Sequence, residues 1–429
     1  MDGMRLIDQV LRAAAAAGAD MAKAALSFGE KSELNVDAGK MSLFRMTSGR
    51  TLTLTAYVAG SKGTATTDRL GAADLEEAAG EAVGAARSAP PDTANAIAPG
   101  GAPASFASGP SGPDRDAMYD RLSQFVAWAE DTYPKTKLEQ CVLDFEQRVA
   151  YFGNSNGVRL DGRTGVYGFT AMFTTKERER TSSFNYSGAA RLDLGEELSA
   201  WGGIDELMRQ STEQLDLRPV EGKFTGDIIV TPHCMGDFID ALDGAYWGGY
   251  PLIKGTTPWK DAVGTVVASP LLTLSSSPRS VDSGHYWTSD GFEARDWSPI
   301  DAGVFRGFCL DLYAANKTGR SRSPSTGGNW TMKPGDAEVT AMVGAVERGL
   351  LLCRFSGGQP SENGDFTGVA KNSYLIENGA IARPISETMV SGNVGQFLAG
   401  VRAVSGRQID FGSSRLSWVL GGGVTISGR

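Results

Sequence analysis

With 429 residues, the chain is longer than a single hydrophobic core usually serves, so two domains are expected. A net charge of -9, with no Lys/Arg-rich run, excludes sequence-independent nucleic-acid binding, which needs clustered cations to displace counterions. The 55 glycines are about 13% of the chain against a typical ~7%, and without periodicity they predict many tight turns between short strands.

The first predicted element is a helix, because Leu6, Ile7, Val10, Leu11 and Ala14 recur at helical spacing before Gly18. Two strands follow, the second through the alternating run from Thr51 to Val58. A turn at Gly60-Ser61-Lys62-Gly63 leads to a short strand at Thr64–Thr67. Ala72–Arg87 reads as a helix with Leu75, Ala79, Ala82 and Val83 on one face. Residues 88–113, rich in Pro, Ala, Gly and Ser, read as a loop excursion within the domain. A helix over Asp116–Tyr133 precedes strands around Gln140–Phe152 and Val166–Thr175. The turn Asn154-Ser155-Asn156-Gly157 joins these strands, and a helix over Ile204–Leu215 comes last.

The texture changes after Arg218-Pro219, where the domain boundary is placed: 1–218 as one domain and 219–429 as the other. Asp227–Val230 is a compact apolar strand, and a short helix covers Cys234–Leu242. Beyond these, short strands dominate, among them Phe305–Leu310, Leu350–Phe355, Asn372–Ile376 and Leu416–Leu420. The expected class is α+β: an N-terminal α+β domain with an antiparallel sheet, then a β-rich, barrel-like C-terminal domain.

No run of about 18 apolar residues is present to span a bilayer. The start Met1-Asp2-Gly3-Met4-Arg5 lacks the pattern of a secretory leader, so a soluble, cytoplasmic protein without membrane or nucleic-acid partners is expected. The widely spaced Cys141, Cys234, Cys309 and Cys353 are expected as buried thiols.

Chemistry is sparse. Only His233 and His285 supply imidazoles, and neither an H-E-x-x-H zinc helix, a G-x-S-x-G elbow nor a phosphate-binding loop is present. Tyr246, Trp247, Tyr250 and Trp259 cluster around Gly248-Gly249. That group suits either a peptide- or partner-binding surface or core packing around a glycine turn.

Several segments, in their order, resemble the TldD/PmbA family and its PmbA (TldE) branch. Gly364-Asp365-Phe366-Thr367-Gly368, followed by Ile376-Glu377-Asn378-Gly379 and Ser391-Gly392-Asn393, is similar to a characteristic run of that family. Gly307–Lys317, Lys333-Pro334-Gly335 and Asn154-Ser155-Asn156-Gly157 resemble three others, so the likeness spans nearly the whole chain. The resemblance implies the same two-domain fold. It also implies a pairing between a zinc-bearing TldD subunit, with an H-E-x-x-x-H helix and a later cysteine, and a partner lacking those residues. The pair trims unfolded peptides, and older labels call members modulators of DNA gyrase.

On that comparison His233 takes the first histidine position, Cys234 stands where the glutamate would be, and Phe238 replaces the second histidine. The general base and one ligand are missing, so no catalytic residue, metal or cofactor is assigned. A degenerate site of His233 and Cys234 with Cys309 or Cys353 stays open. Two family acidic stretches are also altered, to Ser275-Ser276-Ser277-Pro278 and Ser289-Asp290-Gly291. The expectation is a metal-free subunit of a heterodimeric metalloprotease. The alternatives are a homodimeric peptide- or ligand-binding protein without protease activity, or a hydrolase using Cys234, Cys309 or Ser289.

Overall fold

The computed structural model describes residues 2–428 apart from 358, 359 and 387. The first helix, α1 (Gly3–Ala16), starts where the Asp2 carboxylate accepts the Arg5 N–H at 3.3 Å. It is followed by β1 (Met21–Asp37), β2 (Lys40–Val58), β3 (Ser61–Thr67), α2 (Ala72–Ser88), β4 (Ala104–Ser108) and α3 (Arg115–Thr132). Then come β5 (Thr136–Asn154), β6 (Arg159–Glu177), β7 (Arg180–Thr181), β8 (Asn185–Arg191) and α4 (Ile204–Glu213).

The strands of this half form one sheet in the order β3-β2-β1-β5-β6-β4, with β7 and β8 also on β6. It is antiparallel as expected, except for β4, which lies parallel to Leu160–Thr164. That strand corrects the loop expected over 88–113. Its sequence ASFAS offers a single large apolar side chain, so its pairing comes from the neighbouring strand and not from its own periodicity. Strands β1, β2, β5 and β6 run 17 to 19 residues, longer than their alternating cores indicated.

All four helices lie on one face of this sheet. Ile7, Val10, Ala79 and Ala82 of α1 and α2 bury Leu26 and Leu54, while Leu122 and Phe125 of α3 bury Leu143, Phe145 and Phe169. Because strand side chains alternate, the residues between these point to the opposite face, which carries no helix among the described residues. The β5–β6 hairpin turns at the expected place. The buried Asn154 side chain accepts from the N–H groups of Asn156 and Val158 and donates to the Ala98 carbonyl at 2.8 Å.

The second half opens with β9 (Arg218–Pro219), β10 (Lys223–Val230) and α5 (Pro232–Leu242). Its strands form one branched, mixed sheet of 14 strands. β10 sits at the centre, parallel to Arg348–Leu352 on one side and antiparallel to Arg415–Ser427 on the other. Burial on both faces explains its unbroken apolar run Ile228-Ile229-Val230. The strand expected over Phe305–Leu310 is reduced to Val304–Phe305, because the chain then turns inward to place Phe308, Cys309 and Leu310 in the core. No described helix is long and apolar enough to cross a membrane.

Candidate functional site

The degenerate metal-motif residues His233, Cys234 and Phe238 lie on α5, which leaves the central strand β10 through Thr231. Pro232 occupies its first turn, where the missing N–H costs nothing. His233 points toward the first half of the molecule. Its Nε2 lies 2.7 Å from the Gly202 carbonyl and 3.2 Å from Ser187 Oγ. A carbonyl only accepts, so Nε2 carries the proton and donates it, leaving Nδ1 as the one lone-pair nitrogen. Burial holds the imidazole neutral and lowers its pKa from 6.5 to about 4, with Arg354 and Arg407 adding to the shift against the opposing Gly202 hydrogen bond. His233 therefore latches α5 to the 187–203 region.

Cys234, one position on, turns the other way into the main core and is fully buried. Burial pushes its thiol far above the ordinary range, and Asp237 pushes in the same direction. Burial likewise raises Cys309 and Cys353, and Cys141 to about 12. None of the four is poised as a thiolate nucleophile, which needs a depressed pKa. Ser289 uses its carbonyl to accept from Lys23 at 3.1 Å. His285 Nδ1 is bound to Asn329 Oδ1 at 3.0 Å, and among the described residues no hydrogen bond joins His285 to Ser289.

Phe238 is 3% exposed. Its ring packs against Phe366 and Phe397 with centroids 5.2 and 5.3 Å away, and against Phe355 at 6.4 Å. Among the described residues no three His, Cys, Asp or Glu side chains converge to hold a metal ion. A zinc ion does not fit here. One imidazole has only Nδ1 to offer, the neighbouring thiol faces the core, and a phenyl ring fills the third position.

The motif residues part company in space. Phe366 joins Phe238, and Gly364 adopts φ +84° directly against the Tyr246 ring, where any Cβ would overlap the hydroxyl. The Tyr246 hydroxyl sits 3.0 Å from both the Asn363 carbonyl and Asn393 Oδ1, and accepts from the Gly395 N–H at 3.2 Å. Asp365 accepts from Asn393 Nδ2 at 2.9 Å, completing a knot that ties two loops to the end of α5. Glu377, Asn378 and Gly379 lie elsewhere. Asn378 and Gly379 make the left-handed pair of a tight hairpin turn, φ +50° and +74°, and Glu377 flanks it.

The surface alternative for the aromatic cluster is corrected for three of its four members. Tyr246, Trp247 and Trp259 are buried, with Tyr246–Trp259 centroids 4.6 Å apart and Trp247 against Trp330 at 5.2 Å. A π-helical turn, Asp243–Trp247, continues α5 and carries Tyr246 and Trp247 inward. Tyr250 alone is a surface residue, 68% exposed and covered by Lys254. Sequence reasoning missed Asp237, which borders a small groove of about 130 Å³ beside Phe355 and Phe366. Partial enclosure of its carboxyl, then the nearby Asp240 charge, raises it to about 6.

The family model described as the PmbA/TldA metallopeptidase C-terminal domain matches residues 222–428. The "Metalloprotease PmbA homolog" of Haemophilus influenzae is 23% identical over 397 residues, covering 84% of this chain and 81% of that protein. The "Zinc metalloprotease TldD homolog" of Saccharolobus solfataricus is 30% identical over 141 residues. That alignment covers 30% of this chain and spans only 31% of the relative's length. The crystal structure of TldE from Thermococcus kodakarensis has the same fold, with a TM-score of 0.84 at 18% identity, covering 99% of this chain and 100% of that one.

Proposed function

We propose that this chain, which belongs to the PmbA/TldD metallopeptidase family, is a non-catalytic subunit that completes a metalloprotease with a zinc-bearing TldD-like partner. The observation that carries this reading is the state of α5. A hydrolytic zinc site needs three protein ligands, an open position and a carboxylate to take the proton from water. Here His233 is left as the one ligand position kept, because Cys234 faces the core and Phe238 is locked among phenyl rings. The fold remains that of the family, so what the chain contributes is a wall and a docking frame for an unfolded peptide. A cytoplasmic setting agrees with four free, buried thiols.

The test begins with the chain purified alone. It should contain no stoichiometric zinc by elemental analysis and leave an unfolded casein-type peptide intact. Co-expressed with a TldD-like protein from the same cell, it should copurify as a one-to-one complex that cleaves the peptide. Zinc bound by this chain alone, together with cleavage, would overturn the reading. A stable homodimer that ignores the protease would replace it with a self-sufficient binding protein.

A further inference from the structure

The helix-free face of the first sheet is paved with small residues where its four long strands run side by side. Ser27 stands opposite Thr51 and Ala150, and Ala150 opposite Gly162. In the adjacent row Gly29 stands opposite Gly49 and Arg148, and Arg148 opposite Thr164. A Cβ on Gly29 or Gly49 would meet nothing within 4 Å, so the space above the sheet is open. Gly284–Trp287 from the second half faces this floor, enclosing a cleft of about 350 Å³, within the range of small-ligand sites.

The lining is chemically one-sided. On a molecule of net charge -9, no carboxylate lines this cleft, and Arg148 is its one cation. Among the described residues Arg148, exposed on this face, makes no hydrogen bond or ion pair. Hydroxyls from Ser27, Thr51 and Thr164 stand beside it, and Tyr286 and Trp287 form the wall. His285, with Nδ1 bound to Asn329, presents Nε2 as an acceptor for an amide N–H. A guanidinium without a partner, polar groups for a main chain and an aromatic wall suit an extended peptide that ends in a carboxylate.

We propose that this cleft holds the C-terminal carboxylate of an extended peptide, with Arg148 as its ion-pair partner. The proposal rests on the peptide-holding role above and names the part of the peptide that this chain grips. The test uses the isolated full chain and a fluorescent, N-terminally labelled Ser/Ala hexapeptide, as the free acid and as the C-terminal amide. By anisotropy the acid should bind about tenfold more tightly than the amide, the size of one charge-assisted hydrogen-bond pair. Arg148→Gln should abolish that preference without shifting the melting temperature, and raising salt from about 0.05 to about 0.5 M should shrink it. Ser27→Leu, filling the floor, should weaken both forms.

Equal affinity for acid and amide, or a preference that survives Arg148→Gln, overturns the proposal. So does full displacement of the acid by inorganic phosphate at low millimolar concentration, which would mark a site for free anions. The protease partner is absent from this assay, so failure here leaves the subunit reading standing. Zinc and cleavage by the isolated chain would sink the subunit reading without touching the carboxylate preference.

Discussion

His233 donates its Nε2 proton to the carbonyl of Gly202, 31 residues earlier in the chain, at 2.7 Å. This bond fixes the tautomer and holds the imidazole neutral, with its pKa lowered from 6.5 to about 4. The unfolded chain therefore binds a proton between those values that the folded chain does not. Stability from this group is fully present above pH 6.5 and is lost as pH falls from 6.5 through 4, by about 3 kcal/mol in all. Urea unfolding across pH 4 to 7 should show that slope. His233→Gln, which keeps a neutral donor, should flatten it; an unchanged slope in the variant contradicts the assignment.

Phe238→Ala should destabilise the protein by about 3–5 kcal/mol, because the ring leaves a void shared by three phenyl neighbours. Phe238→His, which puts back a histidine, should lower the melting temperature without creating zinc affinity, since Cys234 still faces the core and supplies no further ligand. Zinc titration followed by calorimetry decides this. Micromolar binding would mean that α5 rotates more easily than its packing allows.

Asp290 and Arg322 form a nearly enclosed pair, with side chains 9% and 13% exposed and an Nε–Oδ2 distance of 2.9 Å. The carboxylate also accepts the Leu312 N–H at 2.8 Å, and Arg322 bonds Thr288 Oγ1 at 2.7 Å. Arg322→Ala strands a buried carboxylate and should cost about 3–5 kcal/mol at pH 7 in denaturant unfolding. The double variant Asp290→Asn, Arg322→Met should be less damaging than Arg322→Ala alone. Burial opposes ionisation of Asp290, but Arg322 and Thr288 outweigh it and lower the pKa below 3.8, so this stability fades as pH falls below that value.

Three hairpin turns place alanine in the left-handed region ahead of a glycine: Ala38, Ala59 and Ala302, at φ 49°, 49° and 46°. Asparagine tolerates that conformation better than alanine. Ala59→Asn should raise stability by several tenths of a kcal/mol and the melting temperature by a degree or two, read by calorimetry. A decrease would show that the Ala59 methyl is packed more closely than its turn position indicates.

Much of this architecture is legible in the chain itself. The helical spacing of Leu6, Ile7, Val10 and Leu11, the alternation from Thr51 to Val58, and the Asn154–Gly157 turn each name an element whose cause is local. Strand β4 is not legible, because small residues mark no face. Nor is the inward turn of Tyr246 and Trp247, which depends on α5 continuing past Leu242. Asp237 was missed because a lone exposed-looking aspartate in a helix has no signature until Phe355 and Phe366 close around it.

The sequence by itself determined that the chain carries two imidazoles and no H-E-x-x-H run, since residue identity is fixed whatever the fold. It also determined the kinds of elements, because periodicity is written residue by residue. Only the tertiary structure decided that His233 reaches Gly202, that Phe366 closes over Phe238, and that Arg148 faces a cleft built from both halves. Such partners lie tens to hundreds of residues apart, and a side chain's local pattern fixes the face it presents but not what will meet it there.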